Sequence, residues 1–535
     1  MLFISLTIKL NYHYEETHTF PVNFNPSITT FGQLNMSLVG QKSYNQDLSD
    51  VWGYVDETGI EYALVGVYNG FSVVSLEDPA NPEEVFFGPG PNSIWRDIKT
   101  WGDYAYVSNE SGGGVYIVDL SPLPEGPISS TTNFTGDIYP FQTIHNLYID
   151  ESGKLYIFGS DNGNGGAIIC DLTEDPMNPV ELGRYNTYYF HDGMARGDTL
   201  WGCALYQGLL TPIDVSDPSN PTLMGSVGTP SQFTHNSWVS DDGTHVFTTD
   251  EVSGGFIGAY NVVDLSNMYE VDRIKTSKGN DVIPHNVHVF NDYLVTSYYR
   301  DGIVVHDAKY PDRLFEVANF DTSPFSGDGF NGSWGAYPFL PSGLILASDI
   351  EEGLFVLEIE YQRAAYISGS VKDISTNSPI FNADVKILET DLETQTNFAG
   401  AFEFGTLLSG TFDVLVSANG YSTDTIRNVE LINGEITELN VELDDFYVGM
   451  AAKQENNMKV FPNPFTDLIT IEIPQNNENQ LSITISNKLG QVVFKDNLKS
   501  ENYSLRLDNK LEPGSYLISI YDGSQIVAKE IVIKQ

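Results

Sequence analysis

The chain has 535 residues, enough for several domains, and sets 26 Lys+Arg against 72 Asp+Glu for a net charge of −46. So acidic a surface repels nucleic acid and anionic lipid, which excludes both as partners. Glycine (48), Tyr (30) and Phe (30) are abundant, and no long stretch repeats apolar residues at helical spacing, so the chain reads as all-β: many short strands joined by tight turns.

In chain order, residues 1–33 form an N-terminal segment. It opens MLFISLTIKL, a short apolar run with one lysine and neither a basic lead nor a small-residue cleavage site, and is expected to be a truncated or misassigned signal region. No other stretch supplies the ~20 apolar residues of a membrane helix. The two cysteines, Cys170 and Cys203, are too few for a disulfide framework; both fall within strand patterns and read as buried small residues.

Residues 34–361 carry a repeat. The segments DVWGYV, IWRDIK, TIHNLYI, YFHDGMA, FTHNSWV, IPHNVHV and GSWGAY align on Trp52, Arg96, His145, His191, His235, His285 and Trp334, at steps of 44, 49, 46, 44, 50 and 49. Seven units of this length predict seven four-stranded propeller blades. The third strand of a unit ends in an aspartate motif (GVYIVDLS, AIICDLT, LTPIDVS), followed by a proline turn such as DPANP, DPMNP or DPSNP. The seventh unit has no fourth strand. The orphan LNMSLVGQKSY at 34–44 resembles one, and is expected to close the ring by pairing with 353–360.

The stretches WGYVDETGIEYALVG, SIWRDIK, YFHDGMARGDTLW, FTHNSWVSDDG, IPHNVHV, SYYRDGIVVHDA and WGAYPFLPSGLILASD together resemble the LVIVD-repeat, choice-of-anchor B family of bacterial surface proteins. That resemblance implies a surface propeller on a C-terminal anchor and no assigned biochemical activity.

Residues 364–445 alternate apolar and polar in short runs split by Gly, Asn and Pro, the pattern of a compact β-sandwich. Through Gly369, Pro379, Ala383, Val385, Gly400, Phe402, Phe404, Gly410 and the pair Gly420-Tyr421 they resemble the carboxypeptidase regulatory-like domain, which implies a non-catalytic spacer. A polar linker at 446–458 leads to residues 459–535. The ordered signature Pro462-Asn463-Pro464-Phe465, then Gly490, then Gly514 and Tyr516, resembles the type IX secretion C-terminal sorting domain. It implies the type IX machinery as a partner and delivery outside the cell or to its outer surface.

Blade topology puts the starts of first strands on the same face as the turns between second and third strands. That face gathers Arg96, His145, His191, His235 and His285, with Glu110, Asp161, Asp250 and Glu251 from the turns. Imidazoles beside carboxylates are the residue types that bind a divalent metal, the one cofactor this pattern admits. They could equally hydrogen-bond a sugar or peptide, or each imidazole could bond a neighbouring blade's backbone as a structural element. There is no Gly-x-Ser-x-Gly elbow, and no catalytic residue is assigned. The preferred reading is a monomeric, exported binding or adhesion module for an extracellular glycan, peptide or protein. A metal-assisted hydrolase or lyase and a structural envelope protein are the alternatives.

Overall fold

The computed structural model describes residues 33–277, 281–445, 458–472, 481–498, 502–507, 511–522 and 525–535. All but the last residue of the expected signal region at 1–33, and most of the linker, lie outside the described residues. Apart from a 3₁₀ turn at Leu205–Gln207, the described secondary structure is β.

Seven sheets built on four strands each follow one another along the chain, every strand pairing antiparallel with the next. Their first strands are Leu48–Val55, Ile98–Trp101, Asn146–Ile149, Gly193–Arg196, Thr234–Val239, Val287–Phe290 and Ser333–Tyr337. Each packs against the first strand of the next sheet, and the last packs against the first, so the sheets form a ring. Second strands are buried along nearly their whole length, as in Glu61–Val67 and Tyr293–Tyr298. Their continuous β-branched and aromatic character suits a strand covered on both faces.

The seventh sheet takes its fourth strand from the start of the chain. Met36–Lys42 pairs antiparallel with Gly353–Ile359, as the orphan segment predicts. Just before it, Asn35 turns through φ 52°, and Gln33–Leu34 adds to the edge of the sixth sheet. One short segment therefore ties two blades together and covers two edges.

The aspartate-proline turns explain much of the repeat. Asp78, Asp175 and Asp217 each accept from the backbone N–H two residues on, and their backbone carbonyls accept from Asn81, Asn178 and Asn220. These are Asx turns, for which Asp and Asn are the preferred residues. The turns also fix where glycine must stand. A Cβ at Gly40 would lie 2.1 Å from the Pro79 carbonyl oxygen, and one at Gly183 would lie 2.0 Å from that of Pro218. The outer strand of one blade thus slides under the proline turn of the next, and only glycine fits.

The unit after the propeller has two sheets. One orders Ala401–Thr406, Ala365–Asp373 and Ile436–Leu443; the other orders Glu393–Gln395, Asp384–Ile387, Gly410–Ser417 and Asp424–Leu431. Ile367, Val385, Val414 and Val441 lie in the core between them. It is fastened to blade six at the buried Asp307: the half-buried Arg363 donates to it at 2.6 Å, and the Ala364 N–H donates to its other oxygen at 2.9 Å.

The last unit is a second sandwich. Its signature residues hold its first turn to its last strand. Asn463 donates to the Ile531 carbonyl and accepts from the Ile533 N–H. Phe465 is buried, and its N–H donates to the Ile533 carbonyl. The neighbouring Pro462 and Pro464 lack an N–H, so the Asn463 side chain supplies the pairing there. Gly490 takes φ 77° in a hairpin turn, Gly514 (φ 156°) begins the strand Gly514–Asp522, and the Tyr516 hydroxyl donates to the Glu512 carbonyl.

Candidate functional site

Three of the histidines stand just ahead of a first strand, with the backbone pinned to the second strand of the same blade. The His145 N–H donates to Phe158, that of His191 to Cys203 and that of His285 to Ser297. The side chains therefore project at one end of the ring in sequence order. Ring centroids are 3.9 Å apart for His145 and His191, 4.2 Å for His191 and His235, 4.5 Å for His235 and His285, and 4.7 Å for His285 and Trp334.

The two ring nitrogens do different work. His235 Nδ1 lies 3.2 Å from the His285 carbonyl oxygen, and His285 Nδ1 lies 2.6 Å from that of Trp334. A carbonyl only accepts, so Nδ1 carries the proton and Nε2 is left with its lone pair. His191 Nδ1 is buried and makes no hydrogen bond of normal geometry, though the His235 backbone still favours its charged form. His145 Nδ1 pairs with Glu110. Burial pushes the His191 and His235 imidazoles well below the usual range and takes His285 down to about 3, so these rings are neutral.

Glu251, from the turn after the second strand of blade five, faces the Nε2 atoms. Its carboxylate lies 3.4 Å from His235 Nε2 and 3.9 Å from His285 Nε2, and it accepts from the Tyr299 hydroxyl at 2.6 Å. Burial pushes its carboxyl up to about 7. Donor atoms of His191, His235 and Glu251 all lie within 4.8 Å of one another. They open on a cavity of about 340 Å³ bordered by Trp95, Tyr299, Phe330 and Trp334.

Three residues expected here serve the backbone instead. Arg96 occupies the histidine position, but its longer side chain reaches the Val67 and Pro91 carbonyls, and burial brings its guanidinium down to about 10. Asp161 accepts from the Gln142 and Thr143 N–H groups. Asp250 accepts from the Thr229 hydroxyl and from the Ser231 and Phe233 N–H groups. The alignment of blade one also shifts. A register break between Leu48 and Val51 puts Ser49 and Asp50, rather than Trp52, at the position of the histidine and its successor.

Beneath the imidazoles, the residues that follow them make a polar belt. Asn236 donates to Asp192 at 2.7 Å and accepts from the Val287 N–H. The Ile98 N–H donates to Asp50, and Lys99 pairs with Asp97 while standing 3.9 Å from Asp50. Burial opposes charge on Lys99, but Asp97 and Asp50 together hold its proton more tightly than usual. Neighbouring blades are thus joined by buried polar contacts at the ring's centre. Cys170 and Cys203 are buried thiols, as their strand positions predict.

Residues 95–123 and 204–229 match the LVIVD repeat, residues 366–444 the carboxypeptidase regulatory-like domain, and residues 459–534 the secretion system C-terminal sorting domain. No curated protein matches the chain. Among solved structures it is similar to the β-propeller domain of Cps50 (Swd1) from Myceliophteria thermophila, at 14% identity and a TM-score of 0.44, over 61% of this chain and 100% of that one. Among the described residues no helix is long and apolar enough to cross a membrane. Fold and sorting domain define a propeller protein that is secreted or attached to the outer cell surface. More particularly, it carries LVIVD repeats in the propeller, a carboxypeptidase regulatory-like domain behind it and a sorting domain at its C-terminal end.

Proposed function

We propose that the propeller is an extracellular binding module and that its histidine-lined mouth holds the ligand. The carrying observation is the arc of contacting imidazoles in which the Nδ1 atoms of His235 and His285 bond backbone while their Nε2 atoms and Glu251 face a cavity with aromatic walls. Neutral acceptors and a carboxylate suit a ligand rich in hydroxyl or amine donors. Trp95 and Trp334 offer flat faces for a sugar ring or an aromatic side chain to stack on. The regulatory-like sandwich supports this reading as a spacer, and the sorting domain as the delivery device. The net charge of −46 favours neutral or cationic ligands over anions.

The test is a binding screen of the full chain against neutral glycans and basic peptides, repeated with Trp334→Ala and Glu251→Gln. Saturable binding without turnover, weakened at least tenfold by both substitutions, is the expected result. Binding indifferent to both would place the ligand elsewhere. Turnover of a bound ester, peptide or glycoside would favour the hydrolase reading.

A further inference from the structure

We propose that His191 Nε2, His235 Nε2 and the Glu251 carboxylate form a site for one divalent transition-metal cation of the zinc class. The proposal deepens the binding reading above and rests on it for location.

Two imidazoles and one carboxylate are a ligand set that zinc takes in sites with an open fourth position. Tetrahedral bonds of about 2.0–2.1 Å place ligand atoms roughly 3.3 Å apart. Here the donor atoms lie within 4.8 Å of one another, with His235 Nε2 and Glu251 already at 3.4 Å. Rotamer-scale movement closes the remaining gap. The outer shell is also in place. His235 Nδ1 bonds the next blade's carbonyl, which orients the ring and presents Nε2 as the donor, and the Tyr299 hydroxyl at 2.6 Å holds the carboxylate. A backbone carbonyl behind the imidazole and a hydrogen bond behind the carboxylate are the supports that metal-ligating side chains carry. The His191 ring lies against the His235 backbone, which favours its charged form, so it faces the next blade as His235 and His285 do.

The chemistry of the set selects the cation. Calcium and magnesium take oxygen ligands, and two of the three donors here are imidazole nitrogens. Imidazole favours zinc, cobalt, nickel and copper. The fourth position opens into the aromatic-walled cavity, so a bound cation would face the ligand directly. A hydroxyl-rich or amine-bearing ligand could then complete the coordination, which joins the two proposals physically.

Untagged full-length protein, freed of metal by a chelator, would be titrated with Co²⁺ alone and followed by visible absorption, then with Zn²⁺ alone in competition with a chromogenic chelator. One equivalent of each metal is expected, with a tetrahedral or five-coordinate cobalt spectrum. Glu251→Gln, which keeps an acceptor for Tyr299, and His191→Ala should each weaken Zn²⁺ binding by about 100-fold. His245→Gln, at the end of the strand His245–Asp250 opposite Glu251, should not. Melting curves confirm that each variant is folded. Folded wild-type protein that gives no cobalt spectrum, or a spectrum unchanged in Glu251→Gln and His191→Ala, overturns the site. The glycan and peptide screen on metal-free and zinc-loaded protein separates the two proposals. Ligand capture without metal binding sinks this inference alone, and metal binding with no ligand in either form sinks the receptor reading alone.

Discussion

His285 Nδ1 stands 2.6 Å from the backbone carbonyl oxygen of Trp334, one blade further round the ring. The same carbonyl accepts from the Ser297 hydroxyl at 2.8 Å. Structural and functional roles for the imidazole are therefore not alternatives. Nδ1 joins two blades, and that bond leaves Nε2 as an acceptor toward the cavity. His285→Ala should remove a buried bond and leave a gap between blades, costing about 1–3 kcal/mol. Glu251→Gln should cost far less, because it keeps the Tyr299 contact. Urea unfolding of both variants checks this; equal stability losses would contradict the division of labour.

The ring's closure by Met36–Lys42 makes the start of the chain a stability determinant. Removing residues up to 45 should expose the full edge of Gly353–Ile359, lower the melting temperature of the whole propeller and promote aggregation. A milder test is Gly40→Val. Its Cβ would meet the Pro79 carbonyl oxygen at 2.1 Å, and the strain should cost on the order of 1–3 kcal/mol. A deletion variant that melts like the intact protein would contradict closure.

Arg363 should fasten the spacer sandwich to the propeller. Asp307 is fully buried, and Arg363 is its charged partner at 2.6 Å. Arg363→Ala leaves that carboxylate uncompensated and should cost about 3 kcal/mol. Calorimetry should then show the sandwich melting apart from the propeller. A propeller cut at residue 361 should share the defect, because both Arg363 and the Ala364 N–H are lost.

Asp349 gives a pH signature. Burial raises its carboxyl to about 7, against the opposing hydrogen bonds from the Glu352 N–H, the Thr322 hydroxyl and the Glu351 N–H. An unfolded aspartate titrates near 3.9. Between about pH 4 and 7 the folded protein therefore holds a proton that the unfolded chain has lost, and stability falls as pH rises through that window. Asp349→Asn carries no charge and still accepts the two N–H bonds. The stability difference between variant and wild type should grow in the variant's favour from pH 4 to 7, by on the order of 2–4 kcal/mol. Parallel melting curves across that range would show that the carboxyl titrates normally.

Much of this was legible in the sequence because repetition exposes it. The histidines recur at blade spacing, the missing seventh fourth strand pointed to the orphan segment, and the sorting signature stands as an ordered motif. Local geometry was not legible. Asp250 and Glu251 are neighbours in sequence, yet Asp250 caps N–H groups of the preceding 229–233 turn while Glu251 faces the imidazoles. Only the local backbone path decides which carboxylate goes where. Arg96 sits in the histidine slot, and its reach takes it to carbonyls no imidazole could touch. Trp52 mimics Trp334 through a shared Trp-Gly pair, and the register break at Leu48–Val51 defeats the alignment. The lining residues Trp95, Tyr299 and Phe330 do not recur from blade to blade, so nothing in the spacing marked them.

The most direct test of the account is an anomalous-difference map from zinc-soaked crystals of the full chain, recorded on both sides of the zinc edge. The account predicts one strong peak in the mouth, about 2.0–2.2 Å from His191 Nε2, His235 Nε2 and a Glu251 oxygen. A mouth without a peak in crystals that bind zinc elsewhere, or Nε2 atoms of His235 and His285 found bonded to protein carbonyls, would contradict it.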